Sequence, residues 1–168
     1  MSNGQTVVSI DLKVFMQGVK EFERNQVDMD WAIPRLISDA MTVGFNSIYA
    51  LGAALGFSQQ GLYLQSITME TSKQGRDTEG AISNAAKDPV TGYRYPEGLE
   101  VGTAPHIIRA KFAKALHFFM SDGTEIFAKR VRHPGTRPYW IYRDSAAAIN
   151  KKIPALAENI IRRASQHG

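Results

Sequence analysis

Residues 114–131 read KALHFFMSDGTEIFAKRV: two seven-residue runs, 114–120 and 125–131, joined by Ser-Asp-Gly-Thr. Glycine takes up the positive φ that a tight turn between antiparallel strands demands, so this spacing predicts a β-hairpin. Alternation puts Leu116, Phe118 and Met120 on one face and His117 and Phe119 on the other. Both faces then carry apolar groups. A hairpin of that kind belongs between layers or against a second subunit.

Upstream of the hairpin the pattern turns helical. Asp11 offers an N-cap to a segment with Leu12, Phe15, Met16, Val19 and Phe22 on one face, which predicts a helix over 11–26 after the short β-branched run TVVSI at 6–10. Beyond an acidic break, VDMD at 27–30, the positions Ile33, Leu36, Ile37, Ala40, Val43, Ser47, Ile48 and Leu51 predict a second helix over 31–55. Gly44, Gly52 and Ala53 would allow close backbone packing there, and Pro34 is read as part of the first turn. GLYLQSITME at 61–70 reads as a strand. Thr71–Gly98, rich in Gly, Ser, Thr, Asp and Pro, reads as a long loop insertion with a short helix over Thr78–Lys87. Downstream, Pro138 can open one helix, with Ile141, Tyr142, Ser145 and Ile149, and Pro154 can start another, with Leu156, Ile160 and Ile161; an uninterrupted helix is not expected through Pro154. The sum is a single α+β domain of 168 residues. Its mainly antiparallel sheet, including 61–70, 114–120 and 125–131, packs against two N-terminal helices, with helical segments at the C-terminus.

Composition narrows the chemistry. No run of about eighteen apolar residues is present, and the start MSNGQTVV lacks the order of a secretory signal, so the chain is expected to be made in the cytoplasm and to stay out of membranes. Absence of cysteine excludes disulfides, thiolate metal sites and a cysteine nucleophile. No G-x-S-x-G elbow, phosphate-binding Gly-rich loop or close carboxylate pair occurs, so no enzyme and no cofactor are expected. His106, His117 and His133 invite a metal or general-base reading, yet their spacings match no compact ligand motif. A metal-dependent hydrolase is therefore the weakest alternative. GYRYPEG at 92–98 surrounds a cation with aromatics, an arrangement that packs in loops more often than it stacks on bases.

The net charge of +4 is unevenly spread. Residues 1–104 hold 8 basic and 12 acidic side chains, residues 105–143 hold 8 and 2, and residues 144–168 hold 4 and 2. The middle block therefore carries the basic candidates for a subunit interface or a DNA channel: Arg109, Lys111, Lys114, Lys129, Arg130, Arg132, Arg137 and Arg143. Strand alternation sends Lys129 and Arg130 to opposite faces, more than one solvated surface accounts for. No recognition helix or zinc finger accompanies them, so a sequence-reading DNA module is not expected. Gly-Thr-x-Pro-His at Gly102, Thr103, Pro105 and His106, and His133, Pro134, Gly135 and Thr136, read as two turns that flank the hairpin and fix its base.

Taken together, LEVGTAPHIIRAKFAKALHFF, GTEIFAKRVRHPGTRPYW and the Ala-rich segment after them resemble the tail-completion proteins of tailed bacteriophages, also described as head-to-tail joining, neck or minor tail proteins. The shared pattern is Glu-x-Gly-Thr (Glu100, Gly102, Thr103), Pro-His-x-Ile-x-x-Lys (Pro105, His106, Ile108, Lys111), a Lys-Ala-Leu strand (Lys114–Leu116) and Phe127–Thr136. It covers about fifty residues. Gly61 and Ser66-Ile67 match a further family element, while the Asp-Thr customary before that glycine is replaced by Ser-Gln-Gln. The resemblance implies a structural virion protein without enzymatic activity, forming a sixfold homo-oligomeric ring in the neck between the portal-bearing head and the tail. Its neighbours would be head-completion, tail-terminator or tail-tube proteins, with Glu100 an interface acid and the acidic residues of 1–104 facing the basic hairpin of the next chain. The alternative is a sequence-nonspecific DNA-binding protein that turns the 105–143 block toward phosphates.

Overall fold

The computed structural model describes residues 12–57, 61–74, 77–89, 91–111 and 113–167, so TVVSI and the Asp11 cap lie outside the described residues. Helix α1 (Leu12–Arg24) buries Val19 and Phe22 and leaves Met16 exposed. Helix α2 (Met29–Ala54) starts before Ile33 because the acidic break is itself the cap: the Asp28 carboxylate accepts the Asp30 N–H at 2.9 Å. Pro34 consequently sits in the second turn rather than the first.

The segment after α2 differs most from its sequence reading. Residues 62–65 form one helical turn, α3 (Leu62–Gln65), and the strand begins only at Ile67. Strand β1 (Ile67–Gln74) pairs antiparallel with β2 (Asp77–Asn84), so a hairpin occupies most of what composition marks as a loop, and Thr78–Lys87 is no helix. Its inner face carries Ile67, Ile82 and Gly80, whose missing side chain makes room for Met41 and Ile37 of α2. The 67–84 hairpin thus takes the place against the helices that sequence alone assigns to the 114–131 hairpin. A short helix α4 (Tyr95–Val101) follows and ends at Gly102, where φ is +74°.

Helix α5 (Ile141–His167) runs unbroken through Pro154. A mid-helix proline costs about 3 kcal/mol, but full burial of one isoleucine returns about 1.5–3 kcal/mol. Ile149, Ile153, Ala157 and Ile160 are all buried on the α1–α2 side, while Pro154 is exposed. Packing therefore outweighs the break. Close approach is possible because α2 presents glycine: a Cβ on Gly44 would lie 2.6 Å from Ile149 Cδ1 and 2.7 Å from Ile82 Cδ1.

The fold is α+β, but its antiparallel strands form three two-stranded sheets rather than one. The core centres on α2, α5, α3 and the 67–84 hairpin, and a smaller cluster joins Phe22, Ala32, Leu36, Ala157 and Ile160. Inside the larger core, buried Asn84 donates to the Tyr63 carbonyl at 2.9 Å and accepts the Ala86 N–H at 2.9 Å. Beside it, burial pushes the Tyr63 and Tyr142 hydroxyls well above the ordinary tyrosine pKa. Unfolded tyrosine ionises near pH 10, so stability held by these two neutral groups is complete below about pH 10 and falls as pH rises beyond it. Phenolate absorbance should show Tyr63 and Tyr142 ionising only as the chain unfolds, and Tyr63→Phe should raise the alkaline unfolding midpoint. All six tyrosines titrating with circular dichroism intact would refute this.

Candidate functional site

Between Pro96 and Ile141 no described residue is buried. That stretch forms an antiparallel ribbon. Strand β3 (His106–Arg109) pairs with β6 (Arg130–His133), and β4 (Leu116–Phe119) pairs with β5 (Glu125–Ala128). The two ladders are offset by a large bulge: the first side of the ribbon runs from Arg109 to Leu116 while Lys129 alone separates the ladders on the second. The tip closes through Met120 N–H to Thr124 O and Gly123 N–H to Met120 O, both 2.9 Å, with Gly123 at φ +84°. Asp122 accepts the Thr124 N–H at 2.9 Å, and that bond holds its carboxyl below the usual range.

The two Gly-Thr motifs meet at the base of the ribbon. Thr103 N–H donates to Thr136 O at 2.9 Å and Thr136 N–H to Thr103 O at 3.1 Å. Gly102 and Gly135 flank this pair at φ +74° and +89°. A Cβ on Gly102 would lie 2.5 Å from the Thr136 carbonyl oxygen, and one on Gly135 would collide with the Thr103 carbonyl oxygen. Pro105 and Pro134 are exposed beside them.

His106 and His133 stand opposite each other, ring centres 5.0 Å apart. His106 Nδ1 is 2.9 Å from the Ala104 carbonyl, as a turn histidine requires. His133 is held differently: its Nδ1 accepts the Gly135 N–H at 3.1 Å. His117 lies elsewhere, 2.8 Å from Glu125 and stacked on Phe127 at 4.6 Å. Among the described residues no three His, Asp or Glu side chains converge as a metal site.

The cations divide into two groups. Arg143 pairs with Asp144 at 2.9 Å and covers the Trp140 ring, while Arg137 lies over Tyr139. Arg109, Lys111, Lys114, Lys129, Arg130 and Arg132 are exposed and form no ion pair among the described residues. Register puts Arg109, Arg130 and Arg132 on one face with Ile107, and His106, Ile108, Val131 and His133 on the other. Lys129 stands at the bulge, outside both ladders, so the strand's cations are not shared evenly between its faces. Arg109 directly opposes Arg130, a like-charge pair that weakens a ladder.

Glu100 has a task within its own chain. Its carboxylate accepts the Tyr142 N–H at 2.9 Å and the Arg143 N–H at 3.0 Å, capping α5 from 42 and 43 residues away. Both of its oxygens are thus engaged within the chain. Two exposed aromatics are not among the candidate site residues: Phe127, 67% exposed, and Tyr93, 48% exposed. Continuing the alternation into Glu125-Ile126-Phe127 would have placed Phe127 on the outer face with His117 and Phe119.

No protein-family model, curated protein or solved structure matches this chain. Gly135→Val should cost about 1–3 kcal/mol at the ribbon base, read as lost hydrogen-exchange protection in β3 and β6 with the helices still protected. Glu100→Ala should lower overall stability by about 1–2 kcal/mol in urea unfolding, and Glu100→Gln by less, since the amide oxygen still accepts one N–H.

Proposed function

We propose that this chain is a structural protein of a tailed-phage virion, assembled as a homo-oligomeric ring in the neck that joins head and tail around the DNA exit channel. The observation that carries the reading is the ribbon from Gly102 to Thr136, ordered by backbone pairing yet without one buried residue among those described. An isolated two-stranded hairpin is marginal in water, and this one also sets Arg109 against Arg130. Carboxylates of an adjoining polypeptide would relieve that repulsion and cover the exposed apolar groups. The protein would be made in the host cytoplasm and reside in the virion, its neighbours being further copies and other neck or tail proteins. Among the described residues no helix is long and apolar enough to cross a membrane.

One feature favours a second reading: a two-stranded ribbon fits the DNA major groove, and the shared face of Arg109, Arg130 and Arg132 could meet phosphates. Salt separates the two. A ring protein sediments as an oligomer and binds duplex weakly, and Arg130→Glu with Arg132→Glu should leave circular dichroism intact while shifting the protein to monomer. Unchanged ring formation in that double variant would reject an electrostatic joint. Tight binding to unrelated duplexes, weakening by about 40-fold between 50 and 200 mM salt as three phosphate contacts require, would establish the DNA reading instead.

A further inference from the structure

Charge along the ribbon is bipolar. The tip, Leu116–Ala128, contains Asp122 and Glu125 and no lysine or arginine, while the root on either side holds Arg109, Lys111, Lys114, Lys129, Arg130 and Arg132. Exposed apolar groups occur at both ends, Ile107 and Ile108 at the root and the bulkier ones at the tip. Phe119 is 64% exposed, Met120 51% and Phe127 67%, all at the tip. Beside the root, and reaching Leu116 and His117 at the start of β4, lies an open groove of about 830 Å³, lined by Tyr93, Ile107, Ile108, Arg109 and Lys111 among others. The tip is thus apolar with acidic edges, and the groove is apolar with basic edges.

We propose that the tip of one copy seats in the root groove of the next, Phe119 and Phe127 entering beside Tyr93 and Ile108 while Asp122 and Glu125 meet Arg109 and Lys111. The occupant is a second copy because the tip carries what the groove attracts: Asp122 and Glu125 beside exposed Phe119 and Phe127, against Arg109 and Lys111. Two different surfaces meet, and repeated head-to-tail from copy to copy such contacts close into rings when the rotation between copies allows. Desolvated aromatics anchor the contact, and the charges set its register. This inference rests on the ring reading and names the surfaces that make the ring.

The chain has no cysteine, which makes the contact directly testable. Phe119→Cys combined with Ala113→Cys, a groove-lining position, should give a ladder of species beyond the dimer when treated with a short bismaleimide, whereas either single variant stops at the dimer. Glu125→Lys and Phe127→Ser alter exposed side chains, and each should weaken self-association about tenfold or more in sedimentation velocity with unchanged circular dichroism. Adding Arg109→Glu and Lys111→Glu to Glu125→Lys should restore association. If wild type forms rings but the double-cysteine variant gives no ladder and Glu125→Lys assembles normally, the tip-in-groove contact is wrong and the neck reading stands. If wild type stays monomeric alone and with neighbouring neck proteins, both fall.

Discussion

The Glu100 carboxylate at the start of α5 joins the two halves of the molecule. Helix N-termini leave several N–H groups without an internal partner, and Glu100 accepts two of them, from Tyr142 and Arg143. Two backbone bonds lie alongside, Tyr139 N–H to Leu99 O at 2.8 Å and Trp140 N–H to Glu100 O at 3.4 Å. The chain therefore leaves the core at Glu100 and re-enters it at Trp140 through the same few ångströms. Trp140 takes φ +54°, unusual for a bulky residue, and its ring is covered by Arg143. Strain at that position is tolerated because bonds on both sides fix it. The ribbon from Gly102 to Thr136 inherits its direction from this junction.

Core and ribbon are stabilised by different physics. The core uses close helix packing: Gly44 and Gly52 of α2 admit Ile149 and Leu64, and Gly80 of the 67–84 hairpin admits Met41. The ribbon has no comparable interior. Its order comes from ladder hydrogen bonds, a glycine at the tip and two glycines at the base, each placed where a side chain would be strained or would collide. A structure held this way exchanges surface readily with a neighbour, because covering it displaces no packed side chains of its own.

Local chemistry made part of this legible. The 114–131 hairpin and both N-terminal helices were readable because a turn glycine and a 3.6-residue apolar period act within a few residues. The uninterrupted α5 was not, because Pro154 is a strong local signal overridden by distant partners in α1 and α2. The 67–84 hairpin was hidden by its own small and polar residues: the outer face alternates Thr68, Glu70 and Ser72 with Glu79, Ala81 and Ser83, which reads as loop composition. For the site, sequence marked the cations and the Gly-Thr turns, whereas the cap by Glu100 spans more than forty residues and leaves no local trace. Similarly, Asp88 reads as loop, yet it accepts from Thr91 and from the Tyr95 hydroxyl, holding Tyr93 and Tyr95 near the ribbon root.

Net charge over a block is a poor guide to what that block meets. Residues 105–143 are strongly basic in sum, and a uniform basic surface would repel its own copies and suit a polyanion. Pairing redistributes that sum: the strands fold back so that the two acids and the exposed phenylalanines gather at one end and six cations at the other. A ribbon polarised this way attracts its own kind end to root. It repels parallel side-by-side alignment, since like ends would then face each other. That asymmetry selects contacts that set tip against root, and it arises from strand register, which no count of residues contains.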